Sequence, residues 1–95
     1  MKTIIVDISK AKFIGELHQA IHQAFQSADI SFPDFYGNNL DALWDCLTGF
    51  IEIPIEITLV GLDSLHGDLL AYAEKIVAVF AEAAQETPGI TFKFH

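Results

Sequence analysis

The chain has 95 residues, which is enough for one domain but not for two. Thirteen acidic residues face five lysines and no arginine, so the formal net charge is −8. This balance argues against direct binding to nucleic acid or to an anionic membrane, which both require basic side chains, and it favours either simple solubility or a basic protein partner.

The first elements predicted from the N-terminus are a strand, a helix and a loop. Residues 3–6 are a short β-branched apolar run, which predicts a buried strand. The segment 29–38 contains Pro33 and Gly37 and is predicted to be a loop. Between them, apolar side chains recur at three- and four-residue spacing and predict a helix over residues 12–27: Phe13, Ile14, Leu17, Ile21 and Phe25.

A short second helix is predicted to follow the loop. Asn38 or Asn39 is a suitable N-cap, and Gly49 is a suitable end. At about 100° per residue, the apolar and polar side chains of this helix separate onto different faces. The apolar face carries Leu40, Leu43 and Leu47, the polar stripe carries Asn38, Asp41, Asp45 and Thr48, and Trp44 falls between them.

Asp41 and Asp45 are the most informative pair on this helix. They lie four residues apart and share one face, where like charges repel by about 0.2–0.5 kcal/mol. No lysine occurs between Asp34 and Lys75 to compensate either charge locally. A surface that keeps two carboxylates together in this way is expected to offer them to something positive, although simple solvation is the alternative.

The C-terminal half predicts two more strands and a long helix. Residues 53–60 alternate as a strand, residues 62–67 are either a helical turn or a loop, residues 68–86 form a helix, and Ile90–Phe94 alternates as a final strand. Helical crossovers between successive strands imply parallel pairing. We therefore predict a single α/β domain over residues 1–95, with a small three-stranded parallel sheet packed with three to four helices.

The segment of residues 36–49, YGNNLDALWDCLTG, resembles the signature of the barstar family of intracellular ribonuclease inhibitors. Weaker similarity at residues 17–19, 79–83 and 90–91 extends the resemblance across the domain. It implies a three-stranded parallel sheet packed with helices. It also implies that the second helix and the loop before it fill the active site of a barnase-like ribonuclease, where acidic side chains take the place of RNA phosphates.

Carried over position by position, the resemblance implies a set of contact residues. They are Phe35, Gly37, Asn39, Leu40, Asp41, Trp44, Asp45, Thr48, Gly49, Phe50 and Glu82, with Glu86 as a possible extension. Asp45 is expected to be the main anchor, facing the arginines and histidine that hold the scissile phosphate. Phe35 stands where the family has tyrosine and Phe50 where it has tryptophan, which bears on the choice of nuclease more than on the fold.

The predicted function is a non-catalytic inhibitor that needs no cofactor. In one alternative, a protein of the same fold binds a different partner and acts as an immunity or adaptor protein for another basic toxin or nuclease. A second is an enzyme that uses Asp41, Asp45 and Glu82 as acid–base groups or metal ligands. His18 and His22 have a spacing compatible with zinc, but no third ligand follows at metal-site spacing, so a solvated or half-buried pair is expected.

The sequence also bears on the cellular compartment and the oligomeric state of the protein. The single cysteine, Cys46, cannot form an internal disulfide and is expected to be a buried, inert thiol. The N-terminal apolar run is too short for a signal peptide, and no stretch approaches the roughly 20 apolar residues of a membrane span. We expect a cytoplasmic protein that makes no membrane contact and is a monomer when free.

Overall fold

The computed structural model describes residues 2–30, 39–49 and 51–95. The strands are β1 (Lys2–Asp7), β2 (Ile55–Val60) and β3 (Ile90–Phe94). The helices are α1 (Ile14–Ser27), α2 (Leu40–Gly49) and α3 (Gly67–Glu86), and a single 3₁₀ turn (Leu62–Ser64) lies before α3. The predicted contact residues Phe35, Gly37 and Phe50 lie outside the described residues, as does most of the predicted loop.

The three strands form one parallel sheet in the order β1-β2-β3. Lys2 of β1 lies opposite Ile55 of β2, and Ile55 lies opposite Ile90 of β3. Because parallel neighbours need crossover connections, helices separate the strands along the chain. The predicted three-stranded parallel α/β fold is therefore confirmed, and the 3₁₀ turn resolves the segment that the sequence left open between turn and loop.

One face of the sheet carries the core. Alternate residues of β1 and β2 are buried, and β2 contributes Ile55, Ile57 and Leu59 to the core, whereas in β3 only the first residue, Ile90, is buried. The prediction of a buried β1 is correct only for alternate positions, because Ile4 and Val6 are buried while Ile5 is 64% exposed. Helices α1 and α3 pack against β1 and β3, respectively, on the buried face of the sheet. Buried and exposed residues therefore alternate along β1 and β2, as in a sheet that is covered on one face only.

Helix α1 begins two residues later than predicted. The backbone of Phe13 is extended, with φ −135° and ψ 157°, and its side chain is exposed. The Lys12 N–H donates to Glu16 Oε1 over 2.7 Å, so a carboxylate from the first turn satisfies a backbone donor ahead of the helix. Strand β2 likewise begins two residues later than predicted, at Ile55, and α3 begins one residue earlier, at Gly67.

The C-terminus of α1 is tied to the start of β1. Asp29 adopts the left-handed conformation with φ +58°, and the Ile30 N–H donates to the Phe25 carbonyl over 3.0 Å. The Lys2 ammonium donates to the carbonyls of Ala28 and Asp29, at 3.3 and 3.1 Å. A cation placed there complements the negative end of the helix dipole and holds the chain as it leaves α1.

The apolar face of helix α3 packs into the core. Its buried residues are Ala73, Ile76, Phe80 and Ala83. Phe80 stacks on Phe92 of β3, with ring centroids 5.0 Å apart, so an aromatic pair joins the helix to the edge strand. None of the helices within the described ranges is long and apolar enough to cross a membrane.

A polar pair joins α1 to α3 inside the protein. His18 is fully buried, and its Nε2 lies 2.7 Å from the Tyr72 hydroxyl, with the two rings edge to face. The expectation of a solvated or half-buried histidine is therefore wrong for His18, although His22 is half-buried. The reason is that His18 adjoins the apolar stripe of α1, and Tyr72 supplies a polar partner from the facing helix.

This buried pair predicts a pH-dependent stability. Burial lowers the pKa of His18 below the 6.5 of an exposed histidine. Below about pH 6.5 the unfolded chain takes up a proton that the folded protein resists, so the free energy of unfolding should fall until the lowered native pKa is reached. Urea unfolding at about pH 7.5 and about pH 5.5 measures this fall, which should be smaller in His18→Gln. His22→Gln is the matched control, and equal falls in all three proteins would contradict the prediction.

Candidate functional site

Asn39 forms the start of α2. Its side-chain Oδ1 accepts the Ala42 N–H over 2.8 Å, and its backbone carbonyl accepts the Leu43 N–H over 3.0 Å. These two bonds are those of an N-cap, in which a short polar side chain satisfies a backbone donor of the first turn. Of the two asparagines that the sequence offered, the structure identifies Asn39 as the capping residue.

The faces of α2 are separated as the sequence predicted. Leu43, Cys46 and Leu47 are buried, while Leu40 and Trp44 are half-buried at the margin of the core. The predicted contact residues on the outer side of the helix are exposed: Asn39, Asp41, Asp45, Thr48 and Gly49. Trp44 therefore lies between the core and the acidic stripe, a position suited to an interface because aromatic side chains are enriched there.

Asp41 and Asp45 have no counter-charge in the part of the chain that the structure describes. Among the described residues, neither carboxylate forms an ion pair or a side-chain hydrogen bond. The ion pair that the described ranges do contain, between Lys93 Nζ and Glu56 Oε1 at 3.4 Å, lies on the sheet. Two exposed carboxylates one helical turn apart can thus accept hydrogen bonds from a donor-rich, positively charged group such as a guanidinium.

The hydroxyl of Thr48 is engaged within α2 itself. It donates to the Trp44 carbonyl one turn earlier, over 2.8 Å. Thr48 is one of the predicted contact residues, but this bond was not predicted. The signal was available, because a threonine inside a helix often bonds to the carbonyl four residues before it. The bond sets the direction of the Thr48 side chain beside Gly49.

Helix α3 adds further negative charge beside α2. The two helices pack against each other, and Glu82 is exposed on the outer side of α3. The remaining exposed acidic residues of this helix are Asp68, Glu74 and Glu86. Together α2 and α3 carry six carboxylates and one lysine, Lys75, so the helix pair forms a strongly negative surface. We call the exposed residues Asp41, Asp45, Glu82 and Glu86 the acidic surface.

The remaining reactive groups do not contribute to this surface. Cys46 is buried, as predicted, and burial together with the neighbouring Asp45 charge raises the pKa of its thiol, which keeps it protonated. No cluster of three or more potential metal ligands occurs within the described ranges. An open groove of about 440 Å³ lies between β1 and α1 and includes none of the predicted contact residues in its lining.

The similarity of this chain to known proteins extends over its whole length. A family model described as "Barstar (barnase inhibitor)" matches residues 1–95. A relative from Bacillus subtilis (strain 168), named "Putative ribonuclease inhibitor YrdF", is 37% identical over 86 residues. That match covers 90% of this chain and 89% of the relative, so the similarity extends well beyond the α2 signature.

Proposed function

The chain belongs to the Barstar (barnase inhibitor) family, and on this premise we propose that it inhibits a basic, barnase-like ribonuclease by covering the active site of the enzyme with the acidic surface. Family membership points to an inhibitor that is not itself an enzyme. The observation that carries the finer proposal is the exposure of Asp41 and Asp45 without a counter-charge in the described part of the chain.

The chemistry of the proposed target explains why carboxylates suit this task. A ribonuclease must hold the scissile phosphate with cationic hydrogen-bond donors, and arginine forks match a carboxylate as well as a phosphate. Asp45, midway along the exposed side of α2, would engage those donors and exclude RNA. Asp41 and Glu82 would meet further basic groups at the rim. Inhibition then needs no cofactor and no chemical step.

Apolar contacts would complete the proposed interface. Trp44 and Leu40 are half-buried beside the carboxylates and can be covered fully by a partner. The exposed backbone of Gly49 permits close approach at the end of the helix, where no side-chain atom intervenes. Phe35, Gly37 and Phe50 remain in the proposed contact set through the family resemblance alone. We propose a monomeric inhibitor that binds one enzyme molecule.

Titration of a barnase-like ribonuclease with the purified protein tests this function. We expect cleavage of a fluorogenic RNA substrate to fall to zero at a 1:1 ratio. Because attraction between the acidic surface and a basic enzyme accelerates encounter, the association rate should drop by about tenfold or more between about 0.05 M and 0.5 M salt. The dissociation rate should change much less.

A negative result in this titration is equally clear. Undiminished cleavage by several microbial ribonucleases, at micromolar excess of the protein, would contradict the proposed function. A basic nuclease that is not a ribonuclease provides the comparison for the alternative partner. Inhibition of that enzyme alone would indicate that the acidic surface provides immunity against a different toxin.

A further inference from the structure

The side chain of Asn39 caps the first turn of α2. Asn39 Oδ1 accepts the Ala42 N–H at 2.8 Å, and the Asn39 carbonyl accepts the Leu43 N–H at 3.0 Å. Asp41 is the second residue of the helix and lies between these bonds. The cap therefore stabilises the backbone from which the Asp41 carboxylate projects.

The cap acts at the end of a short helix. Helix α2 has 10 residues, and helices of that length are marginal without tertiary contacts or caps. Within the described chain, α2 packs chiefly against α3, and in its first turn Leu43 is buried and Leu40 and Ala42 are half-buried against the core, whereas Asp41 is exposed and has no packing of its own to direct its side chain. The charge of Asp45 one turn later repels that of Asp41, and the positive end of the helix dipole offsets this repulsion only while the first turn is helical. Loss of the cap would allow the first turn to fray and the Asp41 carboxylate to change direction.

Asn39 is exposed, so two roles are open to it in partner binding. It can contact the partner through its amide, or it can hold α2 in the conformation that the partner recognises. A direct contact through Oδ1 would compete with the cap, because that oxygen already accepts a hydrogen bond in the free protein. We infer that Asn39 is a positioning residue, which acts on the partner through the direction of Asp41. This inference rests on the proposed function.

Four substitutions at Asn39 separate the two roles. Serine and aspartate keep an oxygen that can cap the helix but lack the amide group. Glutamine keeps the amide but is a poor cap, and alanine removes both properties. We expect Asn39→Ser and Asn39→Asp to bind a barnase-like ribonuclease within about threefold of the unmodified protein, and Asn39→Gln and Asn39→Ala to bind about fivefold to tenfold more weakly.

The opposite ranking would overturn the inference. If Asn39→Gln retains affinity while Asn39→Ser binds as weakly as Asn39→Ala, the amide itself contacts the partner. If the unmodified protein binds no ribonuclease, the proposed function itself is wrong. The two failures are thus distinct, since only the first leaves an inhibitor whose Asn39 has a different role.

Coupling to Asp41 provides a measurement that a general loss of stability would not change. In the Asp41→Asn background, Asn39→Ala should lower affinity by less than it does in the unmodified protein, because the carboxylate that it positions is gone. In the Glu82→Gln background the loss should be undiminished. Ile4→Val, a core substitution remote from α2, is the control for stability and should leave affinity within about twofold. Equal losses in both backgrounds would contradict the inference.

Discussion

Asp45→Ala is expected to weaken binding to a barnase-like ribonuclease by about 30-fold or more, which is about 2 kcal/mol, a hot-spot magnitude to which this family has itself contributed measurements. Asp45 is exposed midway along α2 with no ion pair in the described chain, so its charge is available to a partner in full. In the proposed complex, its removal would leave cationic groups of the ribonuclease buried and unpaired, which accounts for the expected size of the loss.

The same substitution should make the free protein more stable. Alanine is a better helix former than aspartate, and the repulsion between positions 41 and 45 disappears. Together these effects should raise the free energy of unfolding by about 0.5–1 kcal/mol, as measured by urea unfolding. A residue that lowers stability yet dominates binding is expected where a surface serves a partner instead of its own fold.

Glu56→Ala is the matched control, because it also removes one negative charge. Glu56 lies on β2, paired with Lys93 across the sheet and away from α2. We expect its effect on ribonuclease affinity to stay within about threefold, since only the long-range field changes. Equal losses of affinity for Asp45→Ala and Glu56→Ala would show that net charge, and not the acidic surface, governs binding. Isothermal titration calorimetry of both variants makes this comparison.

The fold was largely predictable because its signals are local. The period of apolar residues distinguishes α1 and α3 from the strands, and the order of the elements requires parallel pairing. The faces of α2 also followed from helical geometry, since Leu43 and Leu47 are buried and Asp41 and Asp45 are exposed. The proposal that this surface binds a partner depends on the family resemblance, because a solvated face would show the same charges.

Features that depend on distant residues were not predictable in the same way. The bond between His18 and Tyr72 joins residues 54 positions apart, and nothing near either of them in sequence indicates the other. The exposure of Ile5 depends on which face of the sheet the helices cover, and the apolar run of β1 does not reveal this. The engagement of the Thr48 hydroxyl, in contrast, is local and could have been predicted.

Gly61→Ala is expected to produce the largest loss of stability among the glycine substitutions. Gly61 follows β2 with φ +106°, a conformation that side chains disfavour. An added Cβ would lie 2.5 Å from the Ser9 backbone nitrogen and 2.8 Å from its Cα. Ser9 is itself held, because its N–H and its hydroxyl both donate to Asp7 Oδ1, at 2.9 and 2.6 Å. The neighbour is therefore constrained backbone that cannot easily move aside.

Two other glycines separate conformational strain from the clash. Gly67 has φ +60°, but outside its local backbone no atom lies within 4 Å of an added Cβ, and Gly15 in α1 has neither constraint. We expect Gly61→Ala to lower the free energy of unfolding by about 3 kcal/mol or more, Gly67→Ala to lower it by about 1–2 kcal/mol, and Gly15→Ala to raise it by up to about 1 kcal/mol. Denaturant unfolding measures all three. A loss in Gly61→Ala no larger than that in Gly67→Ala would mean that strain alone acts at Gly61 and that the contact with Ser9 relaxes.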